Sequence, residues 1–287
     1  MIVKLAKLLF SKRQRLILWR IRNNFSYSRK KRLNFGSKFG VFGVFVSSVK
    51  LAFKEMDIIT GRLDYPKTDI FMELDSLRAI RRLGACTKEP ETVAWIEAQV
   101  KKGDIFYDIG ANVGAFSFVA SAAAGDNGKV YAFEPGASTY AILSRNVFLN
   151  NAEGKVIPIG IAFSDNTALN KLVYSSITAG EAQHNWGGEP EGKKFQFIPS
   201  YKMDDFIETF KIEPPNHIKI DVDGHEMNVL LGAKKTLQDH KLCSLLIEID
   251  ESVAGYKGIF QLLSNAGFSL DSKHRRNATT FNCIFVR

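Results

Sequence analysis

The chain has 287 residues, 45% of them apolar, with 39 Lys and Arg against 30 Asp and Glu and a net charge of +9. This length accommodates one full α/β domain plus additional sequence, and the apolar share is that of a globular protein. The three cysteines, Cys86, Cys243 and Cys283, lie far apart without CxxC spacing, which argues against a zinc site or a disulfide framework and fits a reducing compartment.

Charge is unevenly placed. The first 54 residues hold 14 Lys and Arg and no acid, which leaves 25 basic against 30 acidic residues in the remainder. The basicity therefore belongs to an N-terminal arm, residues 1–54, and the overall charge is no argument for nucleic-acid binding. Leu5, Leu8, Leu9, Leu16 and Trp19, set among basic residues, suit an amphipathic helix lying on an anionic membrane surface. A solvated tail, or a helix packed on the domain, fits the same residues. The apolar runs fall short of the roughly 18–20 residues of a spanning helix, and no small-residue cleavage pattern follows them. The expected location is cytoplasmic, with peripheral contact at the inner face of the membrane. Beyond Arg29-Lys30-Lys31-Arg32, the stretch from Phe35 to Phe53 is β-leaning and apolar on both faces.

Residues 55–102 read as cap elements, with short strands at Asp57–Thr60 and Asp69–Glu73 and helices at Leu77–Leu83 and Glu91–Val100. A regular alternation occupies 103–287. Strand Ile105–Ile109 leads to helix Phe116–Ala123, strand Val130–Phe133 to helix Ser138–Leu149, and strand Val156–Ala162 to an irregular section, Ser164–Pro199. Strand His217–Val222 leads to helix Glu226–Leu237 and strand Ser244–Ile249 to helix Ile259–Ala266. Strands near Phe268–Ser272 and Thr279–Val286 end the chain. The pattern predicts an α/β fold: a Rossmann-like, mostly parallel sheet with helices on both faces and an antiparallel C-terminal edge. Ligands of such sheets bind beyond the carboxyl ends of the strands. Asp108, Glu134, Ala162–Asp165, Asp221 and Glu248 stand at those ends.

The stretch Asp108-Ile109-Gly110-Ala111-Asn112-Val113-Gly114 carries the most chemistry. Its glycines allow close backbone approach to a ligand. Glu134, 24 residues after Gly110, is placed to accept both hydroxyl protons of a ribose. The spacing G-x-x-x-G differs from the G-x-G-x-x-G of nicotinamide sites, and an acid beside a pyrophosphate would be repelled. An acid facing the cationic methionine end of S-adenosylmethionine is attracted.

Three motifs stand in order: Asp-Ile-Gly-Ala-Asn-Val-Gly (108–114), Ala-Phe-Glu-Pro (132–135), and Lys-Ile-Asp-Val-Asp-Gly-His-Glu (219–226) with Val-Leu-Leu-Gly-Ala (229–233). From about Lys88 to the final strands the chain resembles the FkbM-type family of S-adenosylmethionine-dependent methyltransferases. The resemblance implies a class I methyltransferase fold and O-methylation of a sugar or polyketide hydroxyl. It implies a cofactor site of Asp108, Gly110, Asn112, Gly114 and Glu134, to which Ala111, Pro135 and Ala162 are added as neighbours at the strand ends. Asp223 departs from the family, which usually has Glu there, so a role carried over to that position is in doubt.

Methyl transfer to a hydroxyl needs alignment and a proton acceptor. Asp221, Asp223, His225 and Glu226 cluster after the fourth strand. Two readings stay open. In one, Asp221 or His225 takes the proton; in the other, Asp221 and Asp223, with Glu226, hold Mg²⁺ or Mn²⁺. Asp223-Gly224 also suits a turn, and Glu226 a first-turn acid favoured by the helix dipole. In the irregular section Trp186 is placed to stack on a sugar and His184 to serve as another base. The expected acceptor is a hydroxyl of a sugar, glycolipid or related metabolite. The alternatives are a nucleic-acid methyltransferase guided by the arm and a non-catalytic cofactor-fold protein. Against the former, no Asn-Pro-Pro-Tyr-type loop follows the fourth strand.

Overall fold

A computed structural model of the chain describes residues 59–75, 77, 79–174, 184–186 and 194–287, with the backbone alone described at Tyr174 and 184–186. The basic arm and the apolar stretch Phe35–Phe53 lie outside the described residues. Thr60–Arg287 forms one compact unit.

A small antiparallel pair, β1 (Thr60–Arg62) and β2 (Phe71–Glu73), precedes a 3-10 helix (Ala79–Gly84), α1 (Ala85–Lys88) and α2 (Pro90–Gln99). The main body then runs β3 (Ile105–Ile109), α3 (Ala115–Ala124), β4 (Lys129–Phe133), α4 (Ala137–Leu149), β5 (Val156–Ile159) and β6 (Ala162–Phe163). It continues with β7 (Ala168–Tyr174), β8 (His184–Trp186), β9 (Lys194–Tyr201), α5 (Met203–Phe210), β10 (His217–Ile220), α6 (Glu226–Leu231) and α7 (Lys234–Gln238). Strand β11 (Ser244–Asp250), α8 (Lys257–Asn265), β12 (Ser269–Arg275) and β13 (Thr280–Val286) complete it.

Seven strands form the central sheet in the order β12-β13-β11-β10-β3-β4-β5. The five from β11 to β5 are parallel, and β13 and β12 close one edge antiparallel, as the alternation predicts. This is the arrangement that the resemblance implies. Strand order reverses at β3, between β4 and β10, and such a switch point opens a crevice beyond the carboxyl ends.

Period-two alternation divides the core. On one face Phe106, Val130, Ala132 and Leu246 pack with Trp95 and Ile96 of α2, Phe118 and Val119 of α3, and Leu143 of α4. On the other, Tyr107, Ile109, Phe133, Ile218, Ile220 and Ile247 pack with Phe206 of α5, Leu230 of α6 and Leu263 of α8. Lys219 lies between Ile218 and Ile220, and Asp108 between Tyr107 and Ile109. Both therefore face the α2–α3 side, near its carboxyl end.

Three expectations are corrected. Strand Val156–Ala162 is two strands: Ile161 N donates back to Ile159 O (3.1 Å), and the chain turns at Gly160 so that β6 pairs with β9 outside the central sheet. Helix Glu226–Leu237 breaks at Gly232, where only glycine fits: a Cβ there would lie 2.0 Å from the Ser164 carbonyl oxygen. The Gly232 carbonyl also accepts from Asp204 N (3.1 Å). The section Ser164–Pro199 is not irregular throughout. Strands β6, β9, β7 and β8 form a second sheet in that order, with β7 and β9 antiparallel from Ala168↔Ser200 to Tyr174↔Lys194.

Candidate active site

Strand β3 delivers Asp108 into the crevice. Its carboxylate is 1% exposed, and Oδ2 accepts from Ser117 Oγ at 2.5 Å, in the first turn of α3. Oδ1 is buried without a hydrogen-bond partner, an arrangement that natural interiors avoid unless a ligand completes it. Burial raises the Asp108 pKa, Lys219 and Ser117 oppose the rise, and Asp221 adds to it.

Glu134 follows β4 and is also buried. Oε2 accepts from Asn112 N (3.0 Å) and Oε1 from Gly136 N (2.8 Å), so one carboxylate braces the loops after both β3 and β4. Burial pushes it up to about 7, against the Gly136 and Asn112 hydrogen bonds and the charge of Arg82, and Asp223 adds to the rise. Pro135 supplies its carbonyl to Gln196 Nε2 (2.6 Å), and Gln196 Oε1 accepts from Ala137 N (3.2 Å). Strand β9 of the second sheet is thereby tied to the loop that carries Glu134.

The glycines have reasons within the chain itself. Gly110 has φ +80°, and a Cβ there would lie 1.9 Å from the Asp221 carbonyl oxygen. Gly114 has φ +94°, and its Cβ would meet Leu143 Cδ1 at 2.6 Å. Asn112 also takes a left-handed conformation (φ 54°), and its Oδ1 accepts from Val113 N. Ala111 is buried, and its N–H and that of Gly110 both reach Phe133 O (3.0 Å each). Gly110→Ala combines a strained left-handed alanine with a backbone clash, for which we expect a loss of more than about 2 kcal/mol of stability. Thermal unfolding measures it, and a melting temperature equal to the parent's would refute this account of the turn.

The Ala162 side chain packs with Leu172 and Ile198 in the core of the second sheet.

Strand β10 ends at Ile220, and Asp221 continues its ladder, with N donating to Ile109 O (3.0 Å). The Asp221 side chain is 32% exposed, and its Oδ2 receives Lys219 Nζ at 2.9 Å. Lys219 is 2% exposed, a functional position that the motifs alone do not single out. The signal was present: a lysine amid apolar strand residues must be paired. Glu248, at the tip of neighbouring β11, is pushed up to about 8 by burial and by Asp221.

The remaining candidates divide. Asp223 (φ 51°) and Gly224 (φ 94°) form a left-handed turn, and the exposed Asp223 acts electrostatically on Glu134. Glu226 is 5% exposed, and its Oε1 accepts from Gly224 N (3.0 Å) and Val222 N (3.3 Å). It braces the loop, which takes that oxygen away from proton transfer. His225 is half-buried, and burial holds its pKa below the ordinary value. The Mg²⁺ or Mn²⁺ reading of Asp221 and Asp223 does not fit. The Lys219 ammonium already neutralises Asp221 Oδ2, and a divalent ion there would meet a like charge. Among the described residues no group of three or more His, Cys, Asp or Glu stands ready to hold a metal. His184 and Trp186 lie on β8, and their side chains are outside the described residues.

Residues 108–270, more than half of the chain, match the methyltransferase FkbM domain. The chain belongs to the FkbM methyltransferase family. It is a class I, S-adenosylmethionine-dependent methyltransferase. A hexuronic acid methyltransferase, AglP of Haloferax volcanii, is 28% identical over 198 residues, 69% of this chain and 77% of that protein. Methyltransferase 1 of Beauveria bassiana is 24% identical over 179 residues, 57% of this chain and 71% of that protein. A solved S-adenosylmethionine-dependent methyltransferase from Agrobacterium tumefaciens aligns with a TM-score of 0.48 at 10% identity, covering 81% of this chain and 72% of that one. No helix among the described residues of this FkbM protein is long and apolar enough to cross a membrane.

Proposed function

We propose that this FkbM enzyme methylates a hydroxyl of a sugar, with a hexuronic acid as the first acceptor class to test. One observation carries the reading: a part-exposed carboxylate, Asp221, stands at the switch point with one oxygen fixed by Lys219. A sugar hydroxyl is a weak nucleophile and needs such an acceptor for its proton, whereas methylating a free amine needs none. The AglP similarity supports the choice of acceptor.

The residues present suit the donor. Bound S-adenosylmethionine supplies an activated methyl group. Glu134 accepts the ribose hydroxyl protons, and the orphaned Asp108 Oδ1 accepts a donor from the methionine end. Gly110, Ala111, Asn112, Gly114 and Pro135 shape the surrounding loops. Asp221 would take the proton that the acceptor hydroxyl loses on methylation.

Incubation of the full chain with methyl-labelled donor and a panel of hexuronic acid glycosides, neutral glycosides and RNA tests the reading. Label is expected in a methyl ether on a sugar. Label in RNA, with none in any glycoside, would overturn it and favour the nucleic-acid alternative.

A further inference from the structure

We propose that Lys219 is a positioning residue for methyl transfer, holding Asp221 as an oriented carboxylate and linking it electrostatically to Asp108 in the donor subsite. The inference rests on the assignment of Asp221 as proton acceptor.

The geometry is specific. Lys219 projects from the α2–α3 face of β10, in register with Asp108 on β3. Its ammonium lies 2.9 Å from Asp221 Oδ2 and 5.5 Å from the centre of the Phe116 ring, at the start of α3. Phe116 closes the apolar side of the ammonium and leaves the acids as its polar neighbours. A buried ammonium is tolerated only when paired. Burial alone lowers the Lys219 pKa, yet Asp221, Asp108 and Glu89 outweigh it and hold the pKa above its ordinary value. The cation is therefore permanent through the working pH range.

Its removal has a calculable direction. Asp221 interacts with Asp108 from β3, Glu226 from α6 and Glu248 from β11, all acidic, and with Arg82 from the 3-10 helix. Glu89 faces Lys219 from the start of α2, and Arg276 lies beyond, 3.8 Å from Glu248. Without Lys219 the acids dominate the surroundings of Asp221. A nearby opposite charge typically shifts a carboxyl by about 1–3 pH units.

The experiment is the pH profile of kcat for Lys219→Met and Lys219→Arg, with donor affinity measured alongside. In Lys219→Met the acid limb of kcat moves up by about one pH unit or more relative to the parent. Donor binding persists, because the loss of a cation favours a cationic ligand. Lys219→Arg keeps the charge and restores the acid limb toward the parent position. An acid limb that stays in place in Lys219→Met overturns the proposal. Asp221→Asn tests the underlying assignment separately, since full activity there removes the base itself.

Should Lys219→Met fail to fold, thermal unfolding of Lys219→Met/Asp221→Asn decides. The doubly neutral protein is expected to regain stability over Lys219→Met, because no uncompensated charge remains in the pair. A double variant no more stable than the single one refutes the pairing.

Discussion

Asp221→Asn is expected to lower kcat by about a thousandfold, the middle of the roughly 10²–10⁴ range of a general base, while donor affinity stays within a few-fold. Asparagine keeps the shape and one hydrogen-bond acceptor for Lys219 Nζ, which lies 2.9 Å from the native carboxylate, but it cannot take a proton. The loops of the proposed donor subsite are braced separately by Glu134, through Asn112 N and Gly136 N. The two measurements should therefore part: calorimetric titration with S-adenosylmethionine little changed, turnover nearly gone. A kcat within tenfold of the parent would show that Asp221 is not the proton acceptor.

Glu134 should control donor binding, and in a pH-dependent way. Burial pushes its carboxyl up to about 7, so the unliganded protein holds a proton there below that pH. Ribose hydroxyls are donors and prefer the ionised form, so binding expels the proton, and affinity rises as the pH climbs from 6 to 8. Stability runs the other way without donor. The folded state keeps this proton to a higher pH than the unfolded chain, whose carboxyl titrates near 4.5, so this group's contribution to stability falls as the pH rises through that window. The gain in melting temperature on adding donor is accordingly larger at pH 8 than at pH 6. Hydrogen bonds to a charged group are worth about 1.5–3 kcal/mol each, so Glu134→Gln should weaken donor binding by about tenfold to a hundredfold at pH 8 and flatten the pH dependence. Donor affinity that is independent of pH in the parent would count against the ribose role.

Much of the fold was legible from period alone. Strand Ile105–Ile109 appears with its predicted bounds, and the helix after it differs by one residue at each end. Long periodic segments with glycine punctuation leave few alternatives. The second sheet was not legible, because Phe195 and Phe197 of β9 are exposed rather than core residues. A Gly- and Glu-rich stretch also separates β7 from β9. The need for glycine at 232 comes from the Ser164 carbonyl, a tertiary contact that no local pattern encodes. In the site, the acids at the strand tips could be found by position. Their partners could not. Whether Glu226 faced a ligand or its own loop, and whether Asp221 faced a metal or a lysine, depended on side-chain direction. Lys219 was the clue within reach, since alternation places it inside the sheet and its charge then demands an acid nearby.

The contact between Gly110 and the Asp221 carbonyl bears on how such an enzyme changes its clientele. The turn that would carry the donor rests on the backbone of the residue assigned to the acceptor hydroxyl, so the span between the two reactants is set by main-chain contact. Side-chain replacements around the crevice leave that span alone.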